Sequence, residues 1–182
     1  MGVLVIFASI EGQTAKIARF IESEIKAAGA DVALEEVTDD GTPLSLEGFN
    51  SIILAASVHE RRHPKPFEVL LAGQSEELKK RNTLLISVSL KAAFEDGREE
   101  AQDYLDEMKM RTGFTPNREA LVAGAVRSGS YDYYQSQVMR HVVLRGQEYD
   151  PAEGDKEFTD WKELSSMVRD FLKSETSTAR AE

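Results

Sequence analysis

The sequence predicts an open α/β fold: a five-stranded parallel sheet of order 2-1-3-4-5 with helices on both faces. Three observations carry that expectation. Short apolar runs alternate along the chain with segments of helical periodicity. The runs at Val3, Ser51 and Thr83 are apolar at every position or nearly so, as suits parallel strands covered on both faces. Strand and helix alternate throughout, which requires right-handed crossovers, and 2-1-3-4-5 is the common order for five such strands. A length of 182 residues fits one domain, 1–173, with a disordered tail at 174–182.

The first strand, Val3 to Phe7, runs directly into Ser9, Ile10, Glu11, Gly12, Gln13 and Thr14. Hydroxyls, a flexible glycine and the free amides of a helix N-terminus then meet at the carboxyl end of a central strand, which is an anion site in outline. An ordinary strand-to-helix turn capped by Ser9 or Thr14 reads the same way. The loop lacks the three glycines of a dinucleotide motif and the Gly-Lys-Ser/Thr ending of a P-loop. With no lysine it would hold phosphate through neutral donors, and a dianionic monophosphate such as that of flavin mononucleotide (FMN) suits it better than a magnesium-bound triphosphate.

Ile17, Phe20, Ile21 and Ile25 recur at helical spacing, and Gly29 stands at the C-terminal cap. Val32, Leu34 and Val37 alternate as a second strand, which the polar stretch Thr38 to Pro43 ends. Ser51 to Ala56 is the third strand. A helix follows from Lys65, with Phe67, Leu70, Leu71 and Leu78 inward and Lys79, Lys80 and Arg81 near its C-terminal end. Thr83 to Val88 is the fourth strand, and Glu95 to Arg111 a charged helix with Tyr104, Leu105 and Met108 inward, closed by Gly113 and Pro116. Ala120 to Ala125 is the fifth strand. A long connection, about 127–157, precedes a terminal helix at Asp160 to Leu172.

Composition narrows the chemistry. A net charge of -10 argues against nucleic acid as a partner, because phosphate-backbone binding needs clustered cations. With no cysteine there is no disulfide, thiolate metal site, iron–sulfur cluster or cysteine nucleophile, so redox chemistry requires a bound cofactor, and no metal is expected. Without a secretory signal or an apolar run that spans a bilayer, the expected location is the cytoplasm, with peripheral contact at the inner face of the cell membrane left open. Nothing in the sequence indicates an oligomeric state.

In the predicted order, the loops after strands one, three and four lie side by side at the switch point where ligands bind. They are Ser9 to Thr14, Ser57 to His63 with Ser57, Val58 and His59 foremost, and Ser89 to Ala93 with Ser89, Leu90, Lys91 and Ala92 foremost. Singly, small and hydroxyl residues are common in turns. Three such loops together point to a planar ring, a flavin.

With these residues in place, the chain resembles the flavodoxin-like, quinone-linked protoporphyrinogen IX dehydrogenases and the flavodoxin-domain proteins grouped with them. The resemblance rests on SIEGQT at Ser9 to Thr14, Ala56 to Val58 followed by His59 and His63-Pro64, SVSL at Ser87 to Leu90, AGAVR at Ala123 to Arg127, and TDW at Thr159 to Trp161. It implies a flavodoxin-like fold, bound FMN, a porphyrinogen-type substrate, electron transfer to a respiratory quinone and a place in heme biosynthesis. It also implies that the insert at about 127–157 flanks the flavin and serves substrate or quinone access. Two positions depart from the pattern. Glu60, Arg61 and Arg62 occupy the second loop where relatives offer a glycine and often an aromatic, and Ser128 replaces an aromatic, leaving Tyr131 as the nearest residue for ring contact.

Within such a site Arg127 and Lys91 would attract a propionate or the flavin pyrimidine edge, and His59 and His63 would shuttle protons near neutral pH. The alternatives are surface cations and loop histidines with structural bonds. In the insert, Tyr131, Tyr133 and Tyr134 precede Val138, Met139, Val142 and Val143, with Arg140, His141 and Arg145 interleaved. An amphipathic helix of this kind suits an anionic membrane surface or packs on its own domain. Two other functions remain open: a one-electron carrier steered to basic partners by its acidic surface, and an interaction module that has lost its flavin, which the charged second loop keeps in view.

Overall fold

The computed structural model describes residues 2–39, 44–127 and 154–178, with side chains as far as Ser174. Strands β1 (Gly2–Ala8), β2 (Asp31–Glu36), β3 (Phe49–Ser57), β4 (Asn82–Ser89) and β5 (Arg118–Ala123) form a sheet of order β2-β1-β3-β4-β5, parallel at every pairing. The helices are α1 (Gln13–Ala27), α2 (Lys65–Leu78), α3 (Arg98–Thr112) and α4 (Trp161–Thr178). The predicted fold class and strand order therefore hold.

Strand β1 is buried on both faces, and its alternate side chains separate the core into two layers. Val3, Val5 and Phe7 join Ile17, Ile21 and Ile25 of α1 and Leu164, Val168 and Phe171 of α4. Leu4, Ile6 and Ala8 join Phe67, Leu71 and Leu78 of α2 and Leu105, Met108 and Phe114 around α3. The edge strand β2 does not alternate as expected: Val32, Ala33 and Leu34 are all half-buried and Asp31, Glu35 and Glu36 exposed, where β1, β3 and β4 run buried.

The largest differences from the expected elements lie at the carboxyl end of the sheet. The helix expected from Glu95 begins at Arg98, because Lys91–Ala93 and Glu95–Gly97 form two tight 3-10 turns first. Strand β5 stops at Ala123, and Ala125–Val126 (β6) pairs antiparallel with Lys156–Glu157 (β7) in a separate ribbon. Gly124 makes this break: its amide donates to the Ser89 carbonyl and its own carbonyl accepts from the Phe158 amide. The ribbon thus closes the base of the long connection. Asp160 caps α4, with Oδ1 accepting from the Lys162 and Glu163 amides at 3.0 Å each. That helix continues to Thr178, past the expected end at Leu172 and into the expected tail from Ser174. Ser128, Tyr131 and the amphipathic segment of the insert lie outside the described residues.

Candidate functional site

The register brings the three candidate loops together. Ala8 pairs with Ala56, Ser57 with Val88 and Ser89 with Ala123, so the chain leaves four adjacent strands at one end of the sheet. In the first loop Gly12 adopts φ 88°, a left-handed conformation that favours glycine, and opens α1 without bringing a side-chain cap. Helix geometry leaves the amides of the first turn without intrahelical acceptors. Ser9 Oγ accepts from the Gly12 amide at 3.1 Å and keeps its own proton to donate. Thr14 is 1% exposed, and its Oγ1 has no hydrogen-bond partner among the described residues. Ile10 is exposed. The Glu11 carboxylate, whose charge would oppose an anion, stands 3.7 Å from His59 Nδ1 on the second loop.

Gln13 takes a different role from the one expected. Its Nε2 donates to Thr159 Oγ1 at 2.9 Å and to Glu157 Oε2 at 3.0 Å, while its Oε1 accepts from Arg127 Nη2 at 2.7 Å. Both side-chain N–H groups and the carbonyl oxygen are thus engaged within the protein. Arg127 is correspondingly not a free cation, since it binds Gln13 and faces Asp155 at 3.7 Å. Thr159 Oγ1 donates onward to the Ala123 carbonyl at 2.7 Å, and Glu157 also accepts from Lys16 Nζ and Trp161 Nε1. Burial pushes the Glu157 carboxyl up, but the donors Lys16, Gln13 and Trp161 outweigh it and hold its pKa below the ordinary value. This knot fastens the start of α1 to both ends of the insert. Its contacts span more than 140 residues of chain, so no local pattern announces Gln13 or Glu157.

The second loop is a tight turn in which the His59 amide donates to the Arg62 carbonyl and the Arg62 amide to the His59 carbonyl. Its two central residues, Glu60 and Arg61, have φ 47° and 66° where a glycine would be unstrained. Side-chain pairs brace it: Arg62 Nη2 donates to Glu68 Oε2 at 2.8 Å, and Arg111 Nη2 to Glu68 Oε1 at 2.8 Å. At the start of the loop Ser57 Oγ is buried with no partner among the described residues, and the Val58 amide donates to the Val88 carbonyl. His63 is 3% exposed, with Nε2 2.9 Å from Ser87 Oγ. Desolvation pulls its pKa down from 6.5 to about 4. Against the expectation that His63 shuttles protons near neutral pH, burial disfavours its charged form, so the ring is neutral there and keeps a single N–H.

In the third loop Ser89 Oγ accepts from the Ala92 amide at 3.2 Å, and the Ala93 amide donates to the Leu90 carbonyl, closing the 3-10 turn. Lys91 Nζ is 3.0 Å from Glu100 Oε2, so this cation too is engaged. Leu90 packs with Phe94, Val126 and Phe158, and the Phe94 and Phe158 rings meet edge-on at 5.4 Å. Among the described residues no three His, Asp or Glu side chains are placed to hold a metal, and no helix is long and apolar enough to cross a membrane.

A model of the flavodoxin domain matches residues 4–152. The protein named protoporphyrinogen IX dehydrogenase [quinone] from Escherichia coli strain K12 is 24% identical over 173 residues, 94% of this chain and 94% of its own. Among solved structures, oxidised flavodoxin 1 from Bacillus cereus superposes with a TM-score of 0.57 at 17% identity, over 95% of this chain and 98% of that one. The rubredoxin:oxygen oxidoreductase of Desulfovibrio gigas reaches 0.57 at 12% identity, over 97% of this chain and 36% of that one. At these identities the likeness to the two structures is one of fold.

Proposed function

The chain belongs to the flavodoxin domain family, and from that premise we propose that it is an FMN-dependent oxidoreductase that takes reducing equivalents from a porphyrinogen-type donor and passes them to a quinone. The observation that carries the cofactor reading is a pair of buried hydroxyls, Thr14 Oγ1 and Ser57 Oγ, that have no partner among the described residues at the binding end of the sheet. A buried hydroxyl without a partner is costly, and a phosphate monoester beside Thr14 removes that cost while meeting the amides of the first turn of α1. The residues therefore fit FMN.

Bound FMN supplies the electron transfer itself. The chain supplies place and environment. Ser9, Thr14 and the first-turn amides hold the phosphate, with Gly12 letting the backbone approach it. Ser57, Val58, His59 and the Ser89 to Ala92 turn flank the ring. Gln13 keeps the phosphate loop and the base of the insert in one fixed relation. His59, unlike His63, is part-exposed, and it stands beside Glu11 of the phosphate loop. The donor and acceptor rest on the likeness to the Escherichia coli dehydrogenase over nearly the whole length of both chains. Contact with the membrane surface, where quinone is held, belongs to the same proposal.

The test separates an enzyme from a carrier. Arg127 and Asp155 face each other across the ribbon, so a short glycine and serine linker can replace residues 129–153 without opening the knot. The FMN-loaded intact chain should transfer electrons from protoporphyrinogen to a soluble menaquinone analogue, and the shortened chain should keep FMN and lose that transfer. Absence of that transfer in the FMN-loaded intact chain would favour a one-electron carrier, and equal transfer by both chains would remove the insert from the reaction.

A further inference from the structure

We infer that Glu100 is a positioning residue of the flavin site: a single carboxylate that ties the second loop to the third and compensates the cation each of them carries. The inference rests on the FMN reading above. Glu100 stands in the first turn of α3. Its Oε1 accepts from Arg61 Nη1 at 2.6 Å and from Tyr104 Oη at 2.5 Å, and its Oε2 faces Lys91 Nζ at 3.0 Å. Arg61 is at the tip of the second loop and Lys91 begins the 3-10 turn of the third, and the two loops leave the paired strands β3 and β4. Glu100 spans them from a third element. It is their carboxylate partner among the described residues.

The surroundings hold Glu100 in this position. Gly97 lets the start of α3 press against the third loop, since a Cβ there would lie 2.5 Å from the Lys91 carbonyl oxygen. The Arg61 guanidinium lies 5.2 Å from the centre of the Tyr104 ring, so the left-handed tip of the second loop is held at both its charge and its face. Burial pushes the Glu100 carboxyl up, but hydrogen bonds from Tyr104 and Lys91 hold its pKa below the ordinary value, and the group is charged at neutral pH.

The charge matters because reduction makes a bound flavin more negative. Without Glu100, Lys91 and Arg61 are uncompensated beside the ring and favour the reduced form. In Glu100→Gln, which keeps the shape and most of the hydrogen bonds, reduced FMN should gain about tenfold in affinity relative to oxidised FMN, the size of one charge acting across several ångströms at a half-exposed site. That ratio corresponds to a midpoint potential more positive by about 30 mV for a two-electron couple. Lys91→Gln should move the potential the other way, the double variant should return near the parent, and added salt should shrink each shift. The measurement is FMN affinity and midpoint potential of the parent and the three variants. A Glu100→Gln protein with a lowered unfolding temperature and an unmoved potential would show a merely structural role and overturn the inference. Should that variant fail to fold, an unmoved potential in Lys91→Gln overturns it instead. A parent protein that binds no FMN refutes the cofactor reading and takes this inference with it.

Discussion

At His63 the cost of charging a buried ring decides the chemistry of the residue. Its folded pKa is lowered to about 4 against 6.5 when free, so its contribution to stability is fully present above pH 6.5 and is lost as the pH falls towards 4. The gap corresponds to about 3 kcal/mol by pH 4. His63→Gln, which can still bond Ser87, should show a shallower loss of stability in denaturant titrations between pH 7 and pH 4; parallel curves for the two proteins would contradict the burial account. Glu68 adds to the acid sensitivity of the parent, because although burial raises its pKa, bonds from Arg111 and Arg62 bring it below the ordinary value. Thr14 makes the complementary case. Removing its hydroxyl, unpartnered among the described residues, in Thr14→Val should weaken FMN binding by about 1–3 kcal/mol, the worth of a hydrogen bond to a charged acceptor. Riboflavin, without the phosphate, should be indifferent, and equal losses for both ligands would place Thr14 elsewhere.

Among the elements, the strands were legible because buried parallel strands write themselves as unbroken apolar runs, and α1 because its inward residues repeat at helical spacing. The start of α3 was not, because Glu95 to Gly97 reads as an acidic first helical turn until the Lys91 carbonyl is placed against Gly97. Gly97→Ala should cost about 1–3 kcal/mol, as overpacking against backbone does, measured by urea unfolding; an unchanged midpoint would mean that the two 3-10 turns move apart freely. The motif TDW was visible as a string, but its physics was not: Thr159 joins Gln13 to the Ala123 carbonyl, Asp160 caps α4 and Trp161 packs on Phe20 at 4.9 Å. Gln13→Leu leaves the Thr159, Glu157 and Arg127 groups short of a partner. It should destabilise the protein by about 1–3 kcal/mol, while FMN phosphate binding, which we propose uses only the backbone of that residue, should persist.

For the molecule as a whole, strand order alone was enough to bring the three loops to one end of the sheet, because a doubly wound sheet places its binding site where the order reverses. Which side chains there face a ligand depends on partners far away in sequence. Lys91 and Arg127 looked available until Glu100 and Gln13 were seen to hold them, and Thr14 became the strongest candidate only because nothing described holds it. We propose that these loops bind FMN through its phosphate. Equilibrium titration of the purified protein with FMN and with riboflavin, followed in the visible spectrum, tests it most directly. FMN should bind saturably at one site, and riboflavin distinctly more weakly. No spectral change with FMN, with a magnesium nucleotide binding in its place, would contradict it.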